Sequence, residues 1–224
     1  MSGLTRYGYR DAISGFFEFP TENARRILPP NLEPVEVHHG TSVFALTAFD
    51  FNESEVGAYG EVVMAVVVAP LVKPGQPFPK SAMYPYLVAT TTKAARDHAI
   101  ERWHLPHWME DVDIAFDRQN DHLSVRVKAD GAPVADMTIY PYEWHPVSHL
   151  HQSFMKDGEA NYLAQITMEG LHSEHENEKG SVKLYDHPFN KVLSIADVYD
   201  VPFREQWMRD GLQTFQPLEQ LEAA

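Results

Sequence analysis

The segment ERWHLPHWMEDVDIAF (residues 101–116) places two histidines and two tryptophans around one proline. His107 is the candidate for chemistry here, because an imidazole titrates near neutrality and can hydrogen-bond a carbonyl as it enolises. The alternative is a structural role, in which the ring caps the preceding helix or packs against Trp108. Trp103 and Trp108 are better suited to the core and to a pocket wall, where aromatic rings favour an apolar or planar ligand.

A carboxyl group, Glu61, stands at the start of the nearly continuous apolar run EVVMAVVVAP. Such a run is typical of a strand buried on both faces, as in a barrel. A buried carboxyl is costly unless it is paired or protonated, and its pKa then rises toward values useful for acid–base catalysis. The alternative is a structural ion pair with an arginine such as Arg10. Tyr59 and Tyr84 are candidates for a phenolic hydrogen bond to a ligand.

Histidines recur later in the chain and raise the question of a metal site. In EWHPVSHLHQ, His149 and His151 would share one face of a strand, but no firm third ligand accompanies them and the chain has no cysteine. In LHSEHENEKG, His172 and His175 lie among glutamates and indicate a solvated loop. We therefore expect no metal and no other cofactor.

The composition limits the classes of protein that the chain can represent. The length of 224 residues favours a single domain over residues 1–224. The formal net charge of −14 argues against a nucleic-acid partner. No apolar run approaches the roughly 20 residues that span a bilayer, so we expect no membrane segment. The N-terminal sequence lacks the apolar run of a signal peptide, which predicts a cytoplasmic protein.

The elements that would position these residues are mostly short strands. Two helices are predicted, one beginning at Thr21 and ending at Pro29, the other in TTKAARDHAIERW and ended by Pro106. KPGQPFPKSAMYP is predicted to be an irregular loop. The strands and the two helices together predict an α+β, mainly antiparallel β fold, closed into a barrel or cone with a few short helices. The β-rich segments are 41–51, 59–70, 112–142, 161–170 and 181–189.

Four segments, in this order, resemble the acetoacetate decarboxylase-like family. RRILPPNLEP resembles the family's LLP-x-x-LEP helix ending, and AYGEVVMAVVV resembles its Y-x-E segment. IERWHLPHW resembles GREVWGFPKK and retains Glu101, Trp103 and Pro106. GSVKLYDHPF resembles a recurrent L-x-L-x-x-H strand. The resemblance covers most of the chain and implies the family's barrel and pocket.

The resemblance also locates the family's reactive amines. In that family the first lysine after the proline forms a Schiff base with a keto acid, and a neighbouring lysine lowers its pKa. Those positions are occupied here by His107 and Trp108, neither of which forms an imine. The resemblance implies that Arg10 pairs with a substrate carboxylate and that Glu61 is a pocket glutamate. A second pocket glutamate is replaced by an apolar residue near Phe44.

The leading hypothesis is therefore a small-molecule enzyme of lyase or hydratase type that acts without a Schiff base, with true acetoacetate decarboxylation not expected. Arg10 would hold an anionic oxygen, while Glu61 and His107 move protons next to a carbonyl. An isomerase, a hydrolase or a barrel that binds a ligand without catalysis remain alternatives. The substrate would be anionic or planar, and the resemblance implies a homo-oligomer. A Schiff-base amine relocated to another lysine is not favoured; the candidates are Lys73, Lys80 and Lys93.

Overall fold

The computed structural model describes residues 3–222, which form mainly β-strands. No helix in that range is long and apolar enough to cross a membrane. The helices are α1 (Thr21–Ile27) and α2 (Lys93–Trp103), with short 3-10 turns at Pro188–Asn190 and Ile195–Asp197. The strands are β1 (Thr5–Pro20), β2 (Glu36–His38), β3 (Thr41–Glu53), β4 (Tyr59–Val68), β5 (Ser81–Thr90), β6 (Val112–Arg118), β7 (Leu123–Ala129), β8 (Ala132–Ile139), β9 (His145–Asp157), β10 (Ala160–His175), β11 (Ser181–Leu184), β12 (Arg204–Phe215) and β13 (Glu219–Leu221).

Seven strands close into a barrel, as the sequence predicted. Their order is β1-β12-β10-β9-β5-β4-β3, and β3 pairs back onto β1. All neighbours are antiparallel except β5 and β9, which run parallel, with Ser81 opposite His151. The short strands β2 and β13 extend this sheet at β3 and β10. Closure leaves the lumen as an interior surface to which every barrel strand contributes alternate residues.

The main hydrophobic core lies outside the barrel, under a second sheet of order β11-β8-β7-β6. Phe17 and Phe44, on β1 and β3, are fully buried there with ring centroids 6.1 Å apart. Leu123 and Ile139, on the second sheet, belong to the same cluster. The barrel wall therefore faces this core on its outer side and the lumen on its inner side. That explains the nearly continuous apolar run of β4.

Two buried carboxylates attach the second sheet to the barrel. Glu205 on β12 has no exposed surface, and its oxygens accept hydrogen bonds from the backbone N–H groups of Tyr140, Lys179 and Gly180 at 2.8–2.9 Å. Asp11 on β1 accepts hydrogen bonds from the indole of Trp207 and from the guanidinium of a β6 arginine. Each carboxylate satisfies donors that would otherwise be buried without partners.

Helix α2 closes one end of the barrel and leads into the proline-centred turn. The Thr92 side chain accepts a hydrogen bond from the Ala95 N–H at the start of the helix, and His104 ends it in the left-handed conformation. The chain then runs beside β5, where Val88 and His107 form a parallel bridge. The predicted second helix is confirmed, and the turn after it becomes part of the barrel's edge.

Several long strands were not predicted, because their polar residues made them resemble loops. The predicted loop KPGQPFPKSAMYP contains the start of β5, and the histidine-rich segments belong to β9 and to the end of β10. His172 and His175 are buried on β10, so the predicted solvated loop is wrong there. Inward-facing polar residues on a closed barrel break the apolar pattern that indicates a strand. Of the C-terminal tail, residues 223–224 lie outside the described residues.

Replacing Glu205 with alanine should lower the free energy of unfolding by about 3 kcal/mol, because one buried and two part-buried N–H groups lose their acceptor. Chemical denaturation monitored by circular dichroism measures the change. Glu205→Gln, which keeps one acceptor oxygen, should lie between the alanine variant and the parent protein. Glu159→Ala is the control, because Glu159 is exposed. Equal stability of Glu205→Ala and the control would contradict this anchoring role.

Candidate functional site

A cavity of about 120 Å³ occupies the lumen of the barrel. Its wall is made by side chains that alternate along each strand, as Glu61, Val63 and Ala65 do on β4. The other lining residues are Ala12, Ser14, Thr47, Phe49, Ser81, Met83, Pro85, Val88, Trp103, Leu105, His151, Gln152, Ser153, Met155, Ile166, Met168, His172, Gln206, Met208, Gln213 and Phe215. The cavity is a pocket for a small molecule.

The wall is largely apolar and carries little charge. Four methionines, Met83, Met155, Met168 and Met208, contribute flexible and polarisable surface. Glu61 is the sole acidic side chain, and neither lysine nor arginine lines the cavity within residues 3–222. The polar side chains that line the lumen are therefore almost all uncharged, and Glu61 is the one acidic group among the described lining residues.

Glu61 is half-buried in this wall and has no partner among the described residues. It lies on β4 opposite Phe49 of β3 and Thr90 of β5. Throughout the described part of the chain, no hydrogen bond or ion pair reaches its carboxyl group. Burial raises the pKa of Glu61 to about 8, so the group is mostly protonated at neutral pH. A carboxyl group in this state can donate a proton, and near its pKa it can also accept one.

The end of the cavity near Glu61 is closed by a hydrogen-bonded aromatic group. The Trp103 indole N–H donates to the Tyr7 hydroxyl at 2.8 Å. Because an indole N–H only donates, the Tyr7 O–H is left to donate to His98 Nε2, which lies 2.7 Å away. The Trp103 ring packs on Phe215 with centroids 4.5 Å apart, and both rings line the cavity. This arrangement fixes an aromatic wall under α2.

Burial raises the pKa of the Tyr7 hydroxyl, and the negative charge of ionised Glu61 raises it further. Burial likewise raises the pKa of Tyr59, again with a smaller contribution from Glu61. Tyr7 and Tyr59 are therefore the electrostatic neighbours of the Glu61 carboxyl. Both phenols remain neutral hydroxyls at physiological pH.

The predicted substrate-binding residues divide between the cavity and the core. Trp103 lines the cavity, whereas Tyr59, Tyr84 and Trp108 do not. Tyr84 and Trp108 pack against the core outside the barrel, and Tyr59 packs in a separate aromatic cluster. Phe44 also lies in the outer core rather than in the lumen. Only one of the four predicted aromatic side chains is thus in position to contact a ligand in this cavity.

Arg10 lies on the outside of the barrel, which does not fit the expected contact with a substrate carboxylate. Its guanidinium is 60% exposed and makes two hydrogen bonds to Asp50, at 2.8 and 2.9 Å. The register of β1 against β3 shifts between Tyr9 and Asp11, and this irregularity turns Arg10 outward. A bulge of this kind reverses which face a side chain occupies, and no sequence pattern revealed it.

His107 lies between β5 and the start of α2 and does not line the cavity. Its Nδ1 donates to the Trp108 carbonyl oxygen at 2.6 Å, and its Nε2 lies 3.2 Å from the Thr90 hydroxyl. Burial lowers the pKa of His107, so the ring is neutral at physiological pH. These contacts correspond to the structural alternative, in which the imidazole holds the turn after the helix.

Two histidines that were not expected to form a site do line the cavity. His151 and His172 come from β9 and β10 and lie near His149. Within residues 3–222, no group of three or more histidine and acidic side chains is placed to hold a metal. The sequence pattern that could have placed these histidines in the lumen is their alternation with apolar neighbours. An exposed strand face shows the same pattern.

The three lysines considered as relocated amines are occupied elsewhere. Lys73 pairs with Glu219 and Lys80 with Glu174, each at 2.5 Å, and Lys93 pairs with the aspartate one helical turn along α2. None of the three contributes to the cavity wall. The described chain therefore places no amine where it could form an imine with a ligand in the lumen.

The described chain thus forms a closed barrel around a largely apolar cavity with one acidic side chain in its wall. The model of the acetoacetate decarboxylase (ADC) family matches residues 2–191. The chain belongs to this family. No match was found among curated proteins.

Solved structures show the same fold at low sequence identity. Acetoacetate decarboxylase from Legionella pneumophila subsp. pneumophila str. Philadelphia 1 is 17% identical, with a TM-score of 0.68, and the match covers 99% of this chain and 88% of that one. The enduracididine biosynthesis enzyme MppR, complexed with pyruvate, is 10% identical, with a TM-score of 0.65 and coverages of 100% and 92%. An acetoacetate decarboxylase-like enzyme from Sphingomonas wittichii RW1 is 11% identical, with a TM-score of 0.64 and coverages of 99% and 94%.

The raised pKa of Glu61 predicts how stability changes with pH. Between the usual glutamate pKa and about 8, the unfolded chain has lost this proton while the folded chain retains it. Glu61 should therefore reduce the free energy of unfolding as pH rises through that window, by about 1.4 kcal/mol per pH unit. Glu61→Gln should remove this slope and gain in stability over the parent protein toward pH 8.

Urea denaturation at several pH values tests this expectation. The matched control is Glu159→Gln, which changes an exposed glutamate and should leave the pH dependence as in the parent protein. If Glu61→Gln and the parent protein share one pH profile, then the Glu61 carboxyl is not protonated by burial.

Proposed function

We propose that this chain is a small-molecule enzyme that moves a proton at a carbon next to a carbonyl group, with Glu61 as the acid–base residue and without a Schiff base. The observation that carries the proposal is the unpaired carboxyl of Glu61 in an apolar cavity. Membership of a family that includes enzymes supports a catalytic role. The absence of an amine from the described cavity wall favours acid–base chemistry over imine chemistry.

The proposed step begins with the ionised fraction of Glu61. The carboxylate removes the proton from the carbon next to the substrate carbonyl, and the electron pair moves onto the carbonyl oxygen to give an enolate. Glu61, now protonated, returns the proton to the enolate, either at carbon or at oxygen. If the substrate carries a leaving group on the next carbon, the enolate expels it, which is a lyase or hydratase reaction. A pKa of about 8 keeps both protonation states of Glu61 accessible near neutral pH.

The charge of the cavity favours an uncharged substrate. No arginine or lysine is among the residues 3–222 that line it, so a carboxylate would enter without a cation to pair with. The outward position of Arg10 removes the group that was expected to bind an anion. The aromatic wall of Trp103 and Phe215 suits a planar, largely apolar carbonyl compound.

The competing function is a barrel that binds a carbonyl compound without converting it. One observation favours it: the turn that corresponds to the family's lysine pair holds His107 and Trp108 in structural contacts. A binding protein would retain the ligand unchanged, with Glu61 contributing only a hydrogen bond. The two functions differ in whether a proton at the adjacent carbon exchanges with solvent.

Glu61→Gln should slow hydrogen–deuterium exchange at the carbon next to the carbonyl by about 10²–10⁴-fold, because glutamine cannot transfer a proton. Nuclear magnetic resonance of uncharged methyl ketones and enones incubated with the protein in heavy water measures the exchange. In the parent protein the rate should rise with pH to a plateau above about 8, as the carboxylate forms.

The comparison variant is His107→Gln, which should retain the exchange rate because His107 lies outside the cavity wall. Exchange that persists in Glu61→Gln but is lost in His107→Gln would contradict the proposal and restore the histidine as the proton carrier. Binding of the ketones with no exchange above the buffer rate would favour the binding protein.

Sodium borohydride added with a keto acid or with an uncharged methyl ketone should leave the mass of the protein unchanged, because no amine lines the described cavity. Intact-protein mass spectrometry provides the measurement. A lysine-dependent acetoacetate decarboxylase treated in the same way is the positive control. A stable adduct on Lys73, Lys80 or Lys93, located by peptide mapping, would overturn the lysine-free mechanism.

A further inference from the structure

Two neutral imidazoles in the cavity wall have hydrogen-bonding capacity that the described chain does not use. His151 and His172 both line the lumen, and the Nε2 atom of each is buried with no hydrogen-bond partner within residues 3–222. His172 Nε2 lies 3.9 Å from Glu174 Oε2, which is too far for a hydrogen bond. Buried polar atoms are rarely left unpaired, so two of them on residues that line one cavity point to a ligand.

These histidines lie apart from Glu61 within the same cavity. The ionisable groups that act on His151 and His172 are His145, His149, Lys80 and Glu174. The neighbours of Glu61 are instead the phenols described above, under α2. The strand register separates the two sites along β5, since Glu61 lies opposite Thr90 at one end and His151 lies opposite Ser81 at the other. The lining residues between them on β4 and β5 are Val63, Ala65, Met83, Pro85 and Val88.

The imidazoles are suited to an uncharged oxygen. Burial lowers the pKa of each to about 4, so both rings are neutral at physiological pH and do not attract an anion by charge. The Nδ1 atom of His151 is paired with the Ser81 hydroxyl at 2.9 Å, which fixes the ring and leaves Nε2 as its unpaired nitrogen. A neutral Nε2 either donates or accepts, depending on the tautomer, and a hydroxyl group matches both cases.

We propose that His151 and His172 form a second polar subsite that binds an uncharged hydroxyl or carbonyl oxygen of the ligand. This inference rests on the proposed function and specifies its substrate class. The substrate is a neutral carbonyl compound that presents its reacting carbonyl to Glu61 and carries a second oxygen function beyond an apolar middle.

The test compares pairs of probes that differ in one group. Each pair is a methyl ketone with an alkyl tail and the same ketone with a hydroxyl at the end of the tail, studied at several tail lengths by isothermal titration calorimetry. The preference is the ratio of the dissociation constants of the two ketones, taken at the tail length that gives the largest ratio. His151→Phe and His172→Phe should each reduce this ratio by about five- to tenfold, which corresponds to the loss of one hydrogen bond. His149→Phe is the control, because His149 belongs to the same cluster but does not line the cavity.

An unchanged preference in both cavity variants overturns the subsite, whatever Glu61→Gln does to the exchange rate. Conversely, loss of the preference with no proton exchange in any probe overturns the proposed function and supports the subsite alone. If the phenylalanine variants do not fold, the parent protein labelled with ¹⁵N-histidine provides the second measurement. The hydroxylated ketone should then change the ¹⁵N chemical shifts of the ring nitrogens of two histidines, whereas the alkyl ketone should not. The absence of such a change would overturn the proposal.

Discussion

The closure of the barrel by β1 is the constraint on which the rest of the structure depends. This strand pairs with β3 along one edge and with β12 along the other, so no strand of the seven-membered ring keeps a free edge. Once the ring is closed, the twofold alternation of each strand assigns every residue to the lumen or to the outer wall. The lumen is small, and the residues that face it determine both its volume and its chemistry.

Two glutamates on barrel strands, Glu205 and Glu61, lie in different surroundings and affect the fold differently. Glu205 is surrounded by backbone N–H donors, and its burial joins the second sheet to the barrel. Glu61 has no such donors, and burying its charged form costs free energy, so the carboxyl group stays mostly protonated near neutral pH. That cost reduces stability as pH rises, which is typical of a group retained for its reactivity. The contrast supports a functional role for Glu61 and a structural one for Glu205.

The sequence predicted the features that depend on local pattern or on family resemblance. The β4 run, the second helix and the burial of Glu61 followed from residue types in the chain, and the family resemblance supplied the barrel. The positions of Arg10 and of His151 did not follow, for two physical reasons. An irregularity in β1 turns Arg10 outward, and a bulge leaves no reliable trace in residue types. A polar residue facing a lumen has the same alternation as one facing solvent, so His151 resembled a surface residue.

The turn after α2 places neither of its two ring side chains, His107 and Trp108, in the described cavity wall. Trp108 packs on Phe189 with ring centroids 5.3 Å apart, outside the barrel, and His107 is held by Thr90 and by its own backbone neighbour. Neither side chain lines the cavity, so both contribute packing and hydrogen bonds outside the lumen. Without a cation in the described wall, ionisation of Glu61 is opposed by burial alone, and its pKa settles near neutrality. The raised pKa of Glu61 is thus a consequence of burial in a cavity whose described wall carries no cation.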